Sequence, residues 1–401
     1  MAGPLFGTKI IDLTTVLMGP YATQQLGDMG ADVIKIESAS GDVIRYASEG
    51  RSKGMSSLFL NNNRNKRSLV LDLKQQEGMN IMLQLLKRSD VFISNMRPGA
   101  MRRLGLSYED VAAVNQRLIF VTCSGFGTGG PYEGRAAYDD IIQTMSGVPS
   151  LIARAYGEEP KFLPSNFCDR VTGLKVVSAV VAALLHRERT GKGQSVNVPM
   201  FETMVEFLMS DHLAGYTFVP PTDRTGYRRI VNPNRKPYRT KDGYLALLVY
   251  SDKQWAEFLS IVGKPELLKE ETFASFASRS ENVVEVYSFV RETLSQKTTA
   301  EWLDALKDSD LAHAPVKELE ELFDDEHLKA IDFFPEHMHP SEGRIRTMAM
   351  PDQWSESQPE PRCHAPRLGE HSRDILLELG LSNDEIDVLA DKKITAVEDE
   401  Q

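Results

Sequence analysis

The chain has 401 residues, of which 41% are hydrophobic and 26% are charged, and its formal net charge at pH 7 is -11. This composition is that of an ordinary globular protein and excludes a disordered or fibrous chain. The excess of carboxylates disfavours binding to nucleic acid or to an anionic membrane surface, so neither is expected as a partner.

Strands and helices alternate through the first half of the chain. Lys9–Leu13 is a short apolar strand followed by Gly19-Pro20, where proline suits the first turn of a helix. A helix over 21–28 and the strand Asp32–Glu37 complete a βαβ unit. Further strands are predicted at 68–73, 90–94, 118–122 and 195–198, and further helices at 79–87, after Ser107 and at 169–189, stopped by Gly191. This alternation predicts a doubly wound α/β domain.

A change of composition indicates a second domain. Residues 220–234 are rich in turn-forming residues and are interpreted as a linker. After it we expect a hairpin over 238–245, in which Asp242-Gly243 fits a tight turn. Near the end of the chain, Ser382 and Glu385 form a capping box for a last helix. Helices of the second domain are predicted at 253–262, 280–294 and 299–308.

A dinucleotide site is one interpretation of the first βαβ unit. Glu37 ends the second strand, where dinucleotide-binding folds place an acid that binds the ribose. However, Gly19 is the single glycine between Leu13 and Tyr21, whereas the phosphate fingerprint needs three glycines at fixed spacing. A nicotinamide site is therefore disfavoured, and Glu37 is interpreted as the end of a strand.

Cations gather at the ends of several predicted strands. They comprise Arg64, Lys66 and Arg67 in the loop 61–67, followed by Lys74, Arg97, Arg102 and Arg103. Ligands of open α/β sheets bind beyond the carboxyl ends of the strands, so these cations are compatible with an anionic cofactor. A solvated cationic face is an equally good interpretation, because lysine and arginine are common on protein surfaces.

Asp169 precedes the long predicted helix, so its commonest role is that of an N-cap whose carboxylate accepts a backbone hydrogen bond. A catalytic role is compatible with that position, because a helix N-terminus favours the anion by ~0.3–1 kcal/mol and a carboxylate nucleophile must be ionised. The neighbouring Cys168 is a competing nucleophile, although cysteine is more often a buried apolar residue.

The cysteines and the apolar runs bear on the compartment. Cys123, Cys168 and Cys363 are too scattered for a disulfide framework and lack the spacings of zinc sites, so we expect reducing conditions and no metal. The start of the chain has no basic region or long apolar run, and the apolar segment 176–185 is shorter than the roughly 20 residues that span a bilayer. These features predict a cytoplasmic protein without a signal or an anchor.

Several short motifs occur in the order in which a known family has them. They are Gly19-Pro20, LGDMGADVIKIE at 26–37, NKRS at 65–68, NMRPG at 95–99, SGFG at 124–127, TGKGQ at 190–194 and LGEHS at 368–372. In these motifs the chain resembles the class III (CaiB/BaiF) CoA-transferases, the family of formyl-CoA transferase and carnitine CoA-transferase, to which α-methylacyl-CoA racemase is related. The likeness extends over nearly the whole chain.

The resemblance implies a large, discontinuous, Rossmann-like α/β domain with a parallel sheet, formed by residues 1–215 and by the return segment 336–401. It also implies a smaller α+β domain at 216–335 and two subunits interlocked as a homodimer. Asp169 matches the catalytic aspartate of the family. The positions implied for coenzyme A are Leu71, Lys74, Asn95, Met96, Arg97, Arg103, Leu104 and Tyr138, the last of which faces the reacting acyl group.

Departures from the family pattern narrow the expected reaction. Where racemases have a His-Asp pair, this chain has Tyr138-Asp139, so the base that exchanges an α-proton is missing and transfer is favoured. Leu17 replaces a glutamine of formyl-CoA transferase, and the segment 231–244 lacks the glycine-rich loop of that enzyme, so oxalate is not the expected substrate. Arg135 or Arg228 would suit a dicarboxylate such as succinate.

Together these features predict an enzyme that moves coenzyme A from an acyl-CoA thioester to a free carboxylic acid, through an aspartyl anhydride and an aspartyl-CoA thioester on Asp169. Backbone amides at the start of the Asp169 helix, with Gly125 and Gly127, are candidates for stabilising the oxyanions. Two alternatives stay open. An acyl-CoA racemase or epimerase would exchange the α-proton without an acceptor acid, and a non-catalytic CoA-binding protein would bind coenzyme A without any exchange.

Overall fold

In the computed structural model, which describes residues 3–397, the chain forms two compact units. The first unit contains residues 3–147, 162–208 and 329–397, whereas the second contains 148–161 and 209–328. The first unit is therefore discontinuous in sequence. The predicted domain boundaries, after residues 215 and 335, stay a prediction.

A six-stranded parallel sheet forms the centre of the first unit, in the spatial order β3-β2-β1-β4-β5-β6. Its strands are β1 Lys9–Leu13, β2 Asp32–Glu37, β3 Lys66–Val70, β4 Val91–Ser94, β5 Ile119–Ser124 and β6 Ser195–Pro199. This is the order of a doubly wound fold, in which the direction of strand addition reverses between β1 and β4. The predicted α/β class and the parallel sheet are confirmed, although the third strand lies at 66–70 rather than 68–73.

Helices fill the connections between these strands and much of the rest of the chain. Within residues 3–397 they are, in chain order, α1 Met18–Asp28, α2 Ser57–Leu60, α3 Gln76–Lys87, α4 Pro98–Leu104, α5 Tyr108–Val114, α6 Asp139–Ser146, α7 Val148–Tyr156, α8 Phe167–Thr190, α9 Met200–His212, α10 Asp252–Ile261, α11 Phe276–Glu281, α12 Val283–Leu294, α13 Thr299–Leu306, α14 Glu326–Ala330, α15 Ser372–Leu379 and α16 Asn383–Asp391. As predicted, Ser107 caps α5 and Gly191 ends α8 in a left-handed conformation. Ser382 and Glu385 form the predicted capping box of α16. In this part of the chain, no helix combines the length and the apolarity that a membrane span requires.

Successive side chains of the strands point to opposite faces of the sheet and form two hydrophobic cores. Ile10 of β1 and Val121 of β5 belong to the core that contains α1 and α8. The adjacent residues Ile11 and Phe120 belong to the other core, which contains α3, α15 and α16. Helices therefore cover both faces of the sheet, as the continuous apolar runs of the strands predict.

The C-terminal segment protects the edge strand β3. Val70 N donates a hydrogen bond to Ser372 Oγ at 3.2 Å, and Thr395 Oγ1 donates to Val70 O at 2.8 Å. His371 N donates to Ser68 O at 3.1 Å. These bonds occupy backbone groups that a bare edge strand would present to other chains. The late motif at 368–372 thus has a structural role in the first unit.

The second unit contains a small antiparallel sheet, β7 Tyr238–Arg239, β8 Tyr244–Leu248 and β9 Ala312–Pro315, with a core that includes Trp255 and Trp302. Tyr238 pairs with Leu245, which confirms the predicted hairpin. Its turn is centred on Lys241-Asp242, because Thr240 N donates a hydrogen bond of 3.0 Å to Gly243 O and so closes the turn around these two residues. The predicted α+β class of this smaller unit is confirmed. A further antiparallel ribbon, β10 Glu336–His339 and β11 Gly343–Arg346, belongs to the first unit.

Candidate active site

A cavity of about 440 Å³ lies at the carboxyl edge of the parallel sheet in the first unit. Residues 15–18 of its lining follow β1, residues 95–98 follow β4 and residues 125–126 follow β5. Ligands of doubly wound folds bind outside the carboxyl ends of the strands, at the point where the strand order reverses. The cavity lies at that point, since β1 and β4 are the neighbours between which the order reverses.

Five of the residues predicted for the site line this cavity: Asp169, Asn95, Met96, Arg97 and Tyr138. The loop after β4 supplies the middle three, whereas Tyr138 precedes α6 and Asp169 lies in the first turn of α8. The fold thus brings together residues from three segments that are separate in the sequence.

The other four predicted positions lie outside the lining of this cavity. Leu71 is buried in the core that contains α3, and Leu104 packs against the same core. The side chains of Lys74 and Arg103 are exposed. Their predicted role in binding coenzyme A stays a prediction.

The N-cap prediction for Asp169 is wrong. The N-cap of α8 is Asn166, and Asp169 is the third residue of the helix. The residue is 8% exposed, and within residues 3–397 no protein group donates a hydrogen bond to its carboxylate. The carboxylate therefore faces the cavity and leaves the amides of its own helix to other partners.

A second carboxylate, that of Asp139, holds the first turn of α8. Asp169 N donates a hydrogen bond of 3.0 Å to Asp139 Oδ1, and Gln143 Nε2 donates one of 2.7 Å to Asp139 Oδ2. Gln143 Oε1 in turn accepts a hydrogen bond of 2.9 Å from Leu163 N, in the segment that leads into α8. Asp139 and Gln143 are buried residues of α6, so the two helices are fixed relative to each other.

The electrostatics of the site favour the neutral form of Asp169. Its pKa rises from the ordinary value of 3.8 to about 7, mainly through burial and then through the charge of Asp139, while Arg170 opposes the shift. One pKa unit corresponds to about 1.4 kcal/mol, so the ~0.3–1 kcal/mol that a helix N-terminus contributes is outweighed. Close to pH 7, about half of the Asp169 side chains in the free protein are ionised.

Cys168 is unsuited to act as a nucleophile. Its side chain is buried in the core that contains α1 and α8. Burial, followed by the charges of Asp139, Asp169 and Asp140, raises the pKa of the Cys168 thiol above its ordinary range. Because the thiolate is the reactive form, Asp169 has no competitor next to it in the chain.

Two of the amides predicted to stabilise oxyanions already have partners. Asp169 N is bonded to Asp139, and Gly127 N donates a hydrogen bond of 2.8 Å to Glu202 Oε1. Gly125 has a packing role, because a Cβ atom there would lie 2.2 Å from that of Ala137. The glycine therefore lets the segment that carries Tyr138 approach the end of β5.

The cationic loop at 61–67 is committed to internal ion pairs. Arg64 pairs with Asp28 at 3.0 Å, Lys66 with Asp12 at 3.1 Å and Arg67 with Asp32 at 2.8 Å. These cations also lie at the amino end of β3, away from the carboxyl edge that binds ligands. For this loop the anion-binding interpretation is wrong, whereas Arg97, Arg102 and Arg135 do line the cavity.

Buried charges hold the loop after β1, which forms one wall of the cavity. Lys35 Nζ donates hydrogen bonds to Thr14 O at 2.8 Å and to Asp42 Oδ2 at 3.0 Å. Asp42 Oδ1 accepts a hydrogen bond of 3.0 Å from Val16 N. Val16 has a φ of 70°, a left-handed conformation that is unfavourable for a β-branched residue. The surrounding ionic groups thus stabilise a strained wall, which no local sequence pattern indicates.

Comparison with known proteins identifies relatives over nearly the full length. A model of CoA-transferase family III matches residues 5–372. Succinyl-CoA:glutarate CoA-transferase of Mus musculus is 32% identical, over 94% of this chain and 86% of the mouse protein. The β subunit of succinyl-CoA–L-malate CoA-transferase of Chloroflexus aurantiacus is 31% identical, over 98% of each chain. The crystal structure of a CaiB/BaiF family protein from Brucella suis superposes with a TM-score of 0.79 at 30% identity, over 94% of this chain and 100% of that one. The matched region includes the whole lining of the cavity.

Proposed function

The chain belongs to CoA-transferase family III, and we propose that it moves coenzyme A from an acyl-CoA thioester to a free carboxylic acid through covalent intermediates on Asp169. The observation that carries this proposal is the placement of one carboxylate, buried, without a hydrogen-bond donor of its own within residues 3–397, and facing the cavity at the switch point of the sheet. A carboxylate without such a partner keeps both of its oxygens available to attack a thioester.

The proposed reaction begins when ionised Asp169 attacks the thioester carbonyl and expels the thiolate of coenzyme A, which leaves a mixed anhydride. The thiolate then attacks the aspartyl carbonyl of that anhydride and releases the donor acid, which leaves an aspartyl-CoA thioester. The acceptor carboxylate attacks this thioester and expels the thiolate again. Finally the thiolate attacks the acceptor carbonyl of the new anhydride, which gives the new acyl-CoA and restores the Asp169 carboxylate. Every step exchanges one nucleophile for another, so neither a redox partner nor a net proton transfer is required.

The remaining lining residues fit an acyl-CoA substrate. Arg97 and Arg102 place positive charge at the cavity, which suits the phosphates of coenzyme A. Tyr138 is 68% exposed at the start of α6, where it can contact the acyl group. No histidine occurs in the lining within residues 3–397, which disfavours the racemase alternative. In D2O, a racemase would incorporate deuterium at the α-carbon of a 2-methylacyl-CoA without an acceptor acid, and we expect no such incorporation.

We further propose that a dicarboxylic acid is one of the substrates. Relatives named as succinyl-CoA transferases support this, and so does Arg135, which lines the cavity and lies over the ring of Tyr132 at 4.8 Å from its centroid. Arg228 is no longer a candidate for this role, because its side chain is 80% exposed and paired with Asp223 at 2.6 Å in the second unit.

Succinyl-CoA is therefore expected to be a better donor than butyryl-CoA, which has the same four carbons but no terminal carboxylate. We expect kcat/KM to differ by at least about tenfold, because a site built for a charged group discriminates against an analogue that lacks it. The measurement is transfer to glutarate with each donor, for the wild type and for Arg135→Met. Arg135→Met should lower kcat/KM for succinyl-CoA only; equal kcat/KM values for the two donors would refute recognition of the donor's terminal carboxylate by Arg135 and leave CoA transfer intact.

Two copies of the chain are proposed to associate, as the family resemblance implies. Leu174, Val181 and Leu185 lie along one face of α8 and are 51%, 40% and 51% exposed, whereas the opposite face is buried in the core. A helix that is apolar on all sides is normally buried on all sides. We expect sedimentation to show a dimer at micromolar concentration and Leu174→Glu/Leu185→Glu to shift it toward monomer. Val388→Glu, at an exposed apolar position on α16, is the matched control; a monomeric wild type would contradict the proposal.

A further inference from the structure

The carboxylate of Asp139 contacts the backbone of Asp169, the proposed nucleophile, and carries no acyl group in the proposed reaction. It is buried at the first position of α6, and its two oxygens are bound by Asp169 N and by Gln143 Nε2. The partial positive charges at the N-termini of α6 and α8 both lie close to it, and such termini stabilise an anion. Asp139 is therefore held in place beside Asp169.

Two charges act directly on Asp169: the negative charge of Asp139, from α6, and the opposing and smaller influence of Arg170, from α8 itself. The cavity that Asp169 faces is also lined by Arg97, Arg102 and Arg135. Arg170 is engaged elsewhere, because its guanidinium lies 4.5 Å from the centroid of the Tyr21 ring and donates a hydrogen bond to Asn62 Oδ1. The cation nearest in sequence therefore compensates the Asp169 anion only in part.

We propose that Asp139 is a positioning residue that acts through Asp169: it orients the first turn of α8 and, by charge repulsion, destabilises the Asp169 anion relative to the covalent acyl forms. The inference rests on the proposed function. Repulsion acts while the Asp169 side chain is a negatively charged carboxylate. It disappears in the mixed anhydride and in the aspartyl-CoA thioester, because the Asp169 side chain is neutral in both. A neighbour that increases the affinity of a carboxylate for a proton increases its affinity for an acyl group in the same way.

The raised pKa of Asp169 agrees with this geometry, since burial and the charge of Asp139 are its two causes. Only the ionised form attacks. The wild-type rate of adduct formation should therefore rise with pH along a limb whose midpoint is close to 7, and should level off above it. Neutralising Asp139 should leave more of the nucleophile ionised at low pH. It should also make that nucleophile weaker, because nucleophilicity falls with basicity, although less steeply.

The test is the pH dependence of adduct formation in a single turnover with succinyl-CoA, in wild type, Asp139→Asn and Asp139→Glu. Asp139→Asn should move the limb down by about one unit, the order of shift that a neighbouring charge produces. Adduct formation in Asp139→Asn should be about threefold faster than in wild type below pH 6 and about threefold slower above pH 8. Both values follow from a tenfold decrease in the basicity of Asp169 and a Brønsted slope near one half. Asp139→Glu keeps the charge and should keep the limb near that of the wild type.

Asp140→Asn is the matched control, because it removes an exposed carboxylate from the adjacent position of α6 and should leave the profile unchanged. A rate that falls equally at every pH in Asp139→Asn, with the limb still near 7, would mean that Asp139 only supports the fold. A wild-type limb near 4 would overturn the inference without the use of any variant, even if Asp139→Asn failed to fold. If transfer occurs but no wild-type adduct maps to Asp169, the proposed function itself fails, and this inference with it.

Discussion

Asp169→Asn is expected to lower the rate of CoA transfer by at least about a thousandfold, the order of loss that follows removal of a covalent nucleophile. An amide is a poor nucleophile, and the adjacent Cys168 is buried with a raised pKa, so no neighbouring side chain can replace the carboxylate. The variant should still bind coenzyme A, because the cations of the cavity are unchanged. Steady-state transfer and a CoA-binding titration are the measurements.

The same substitution should stabilise the protein above pH 7. Asp169 has a folded-state pKa of about 7, above its ordinary value of 3.8, so its contribution to stability is fully present below about pH 4 and is lost as pH rises to 7. Asparagine does not titrate, and the gain in the free energy of unfolding at pH 8 should reach up to about 4 kcal/mol. At pH 4 the two proteins should be equally stable.

Chemical trapping separates this assignment from a general loss of structure. Hydroxylamine added to wild type with succinyl-CoA should leave a hydroxamate on the peptide that contains Asp169, and the Asp169→Asn variant should yield none. Asp140→Asn, on the exposed side of α6, is the control and should behave as wild type. Activity within tenfold of wild type in Asp169→Asn would mean that the covalent carrier is another group.

Local sequence patterns predicted the sheet and several helix ends, because the forces that specify them act over a few residues. A strand of a parallel sheet covered on both faces must be a short apolar run, and Lys9–Leu13 and Asp32–Glu37 are such runs. Ser107 and Gly191 act on the backbone next to them, so their capping roles could also be predicted.

Contacts between residues distant in sequence could not be predicted in this way. Asp139 and Asp169 are 30 residues apart, and the helix α6 that joins them to one site was not predicted at all. Without that contact, the sequence around Asp169 indicates a cap of its own helix and gives no sign of the raised pKa. The cations of the loop 61–67 resembled an anion site, because their carboxylate partners lie at least 35 residues away in the chain.

Lys66→Met is expected to lower the free energy of unfolding by about 3–5 kcal/mol, because it leaves the carboxylate of Asp12 buried without its nearest cation. Lys66 Nζ lies 3.1 Å from Asp12 Oδ2, and both side chains are fully buried. Burial is the largest influence on the carboxyl group of Asp12, but Lys66 and Lys35 outweigh it and hold its pKa at about 2. Burial lowers the pKa of Lys66 to about 8, so both groups are charged at pH 7.

Lys307→Met is the matched control, since Lys307 pairs with Asp304 at 2.8 Å on the surface of the second unit, where solvent screens the pair and its loss should hardly change stability. The measurement is the urea unfolding midpoint of each single variant and of the double variant Asp12→Asn/Lys66→Met. The double variant should recover part of the free energy of unfolding that Lys66→Met loses, because the uncompensated charge of Asp12 is gone. Equal midpoints for Lys66→Met and Lys307→Met would show that burial adds nothing to the pair. Asp12 also accepts hydrogen bonds from Thr14 N and Oγ1, so a displaced Asp12 carboxylate should make the loop after β1 less ordered. Because this loop forms one wall of the cavity, the KM for acyl-CoA should rise in Lys66→Met even at urea concentrations well below the unfolding midpoint.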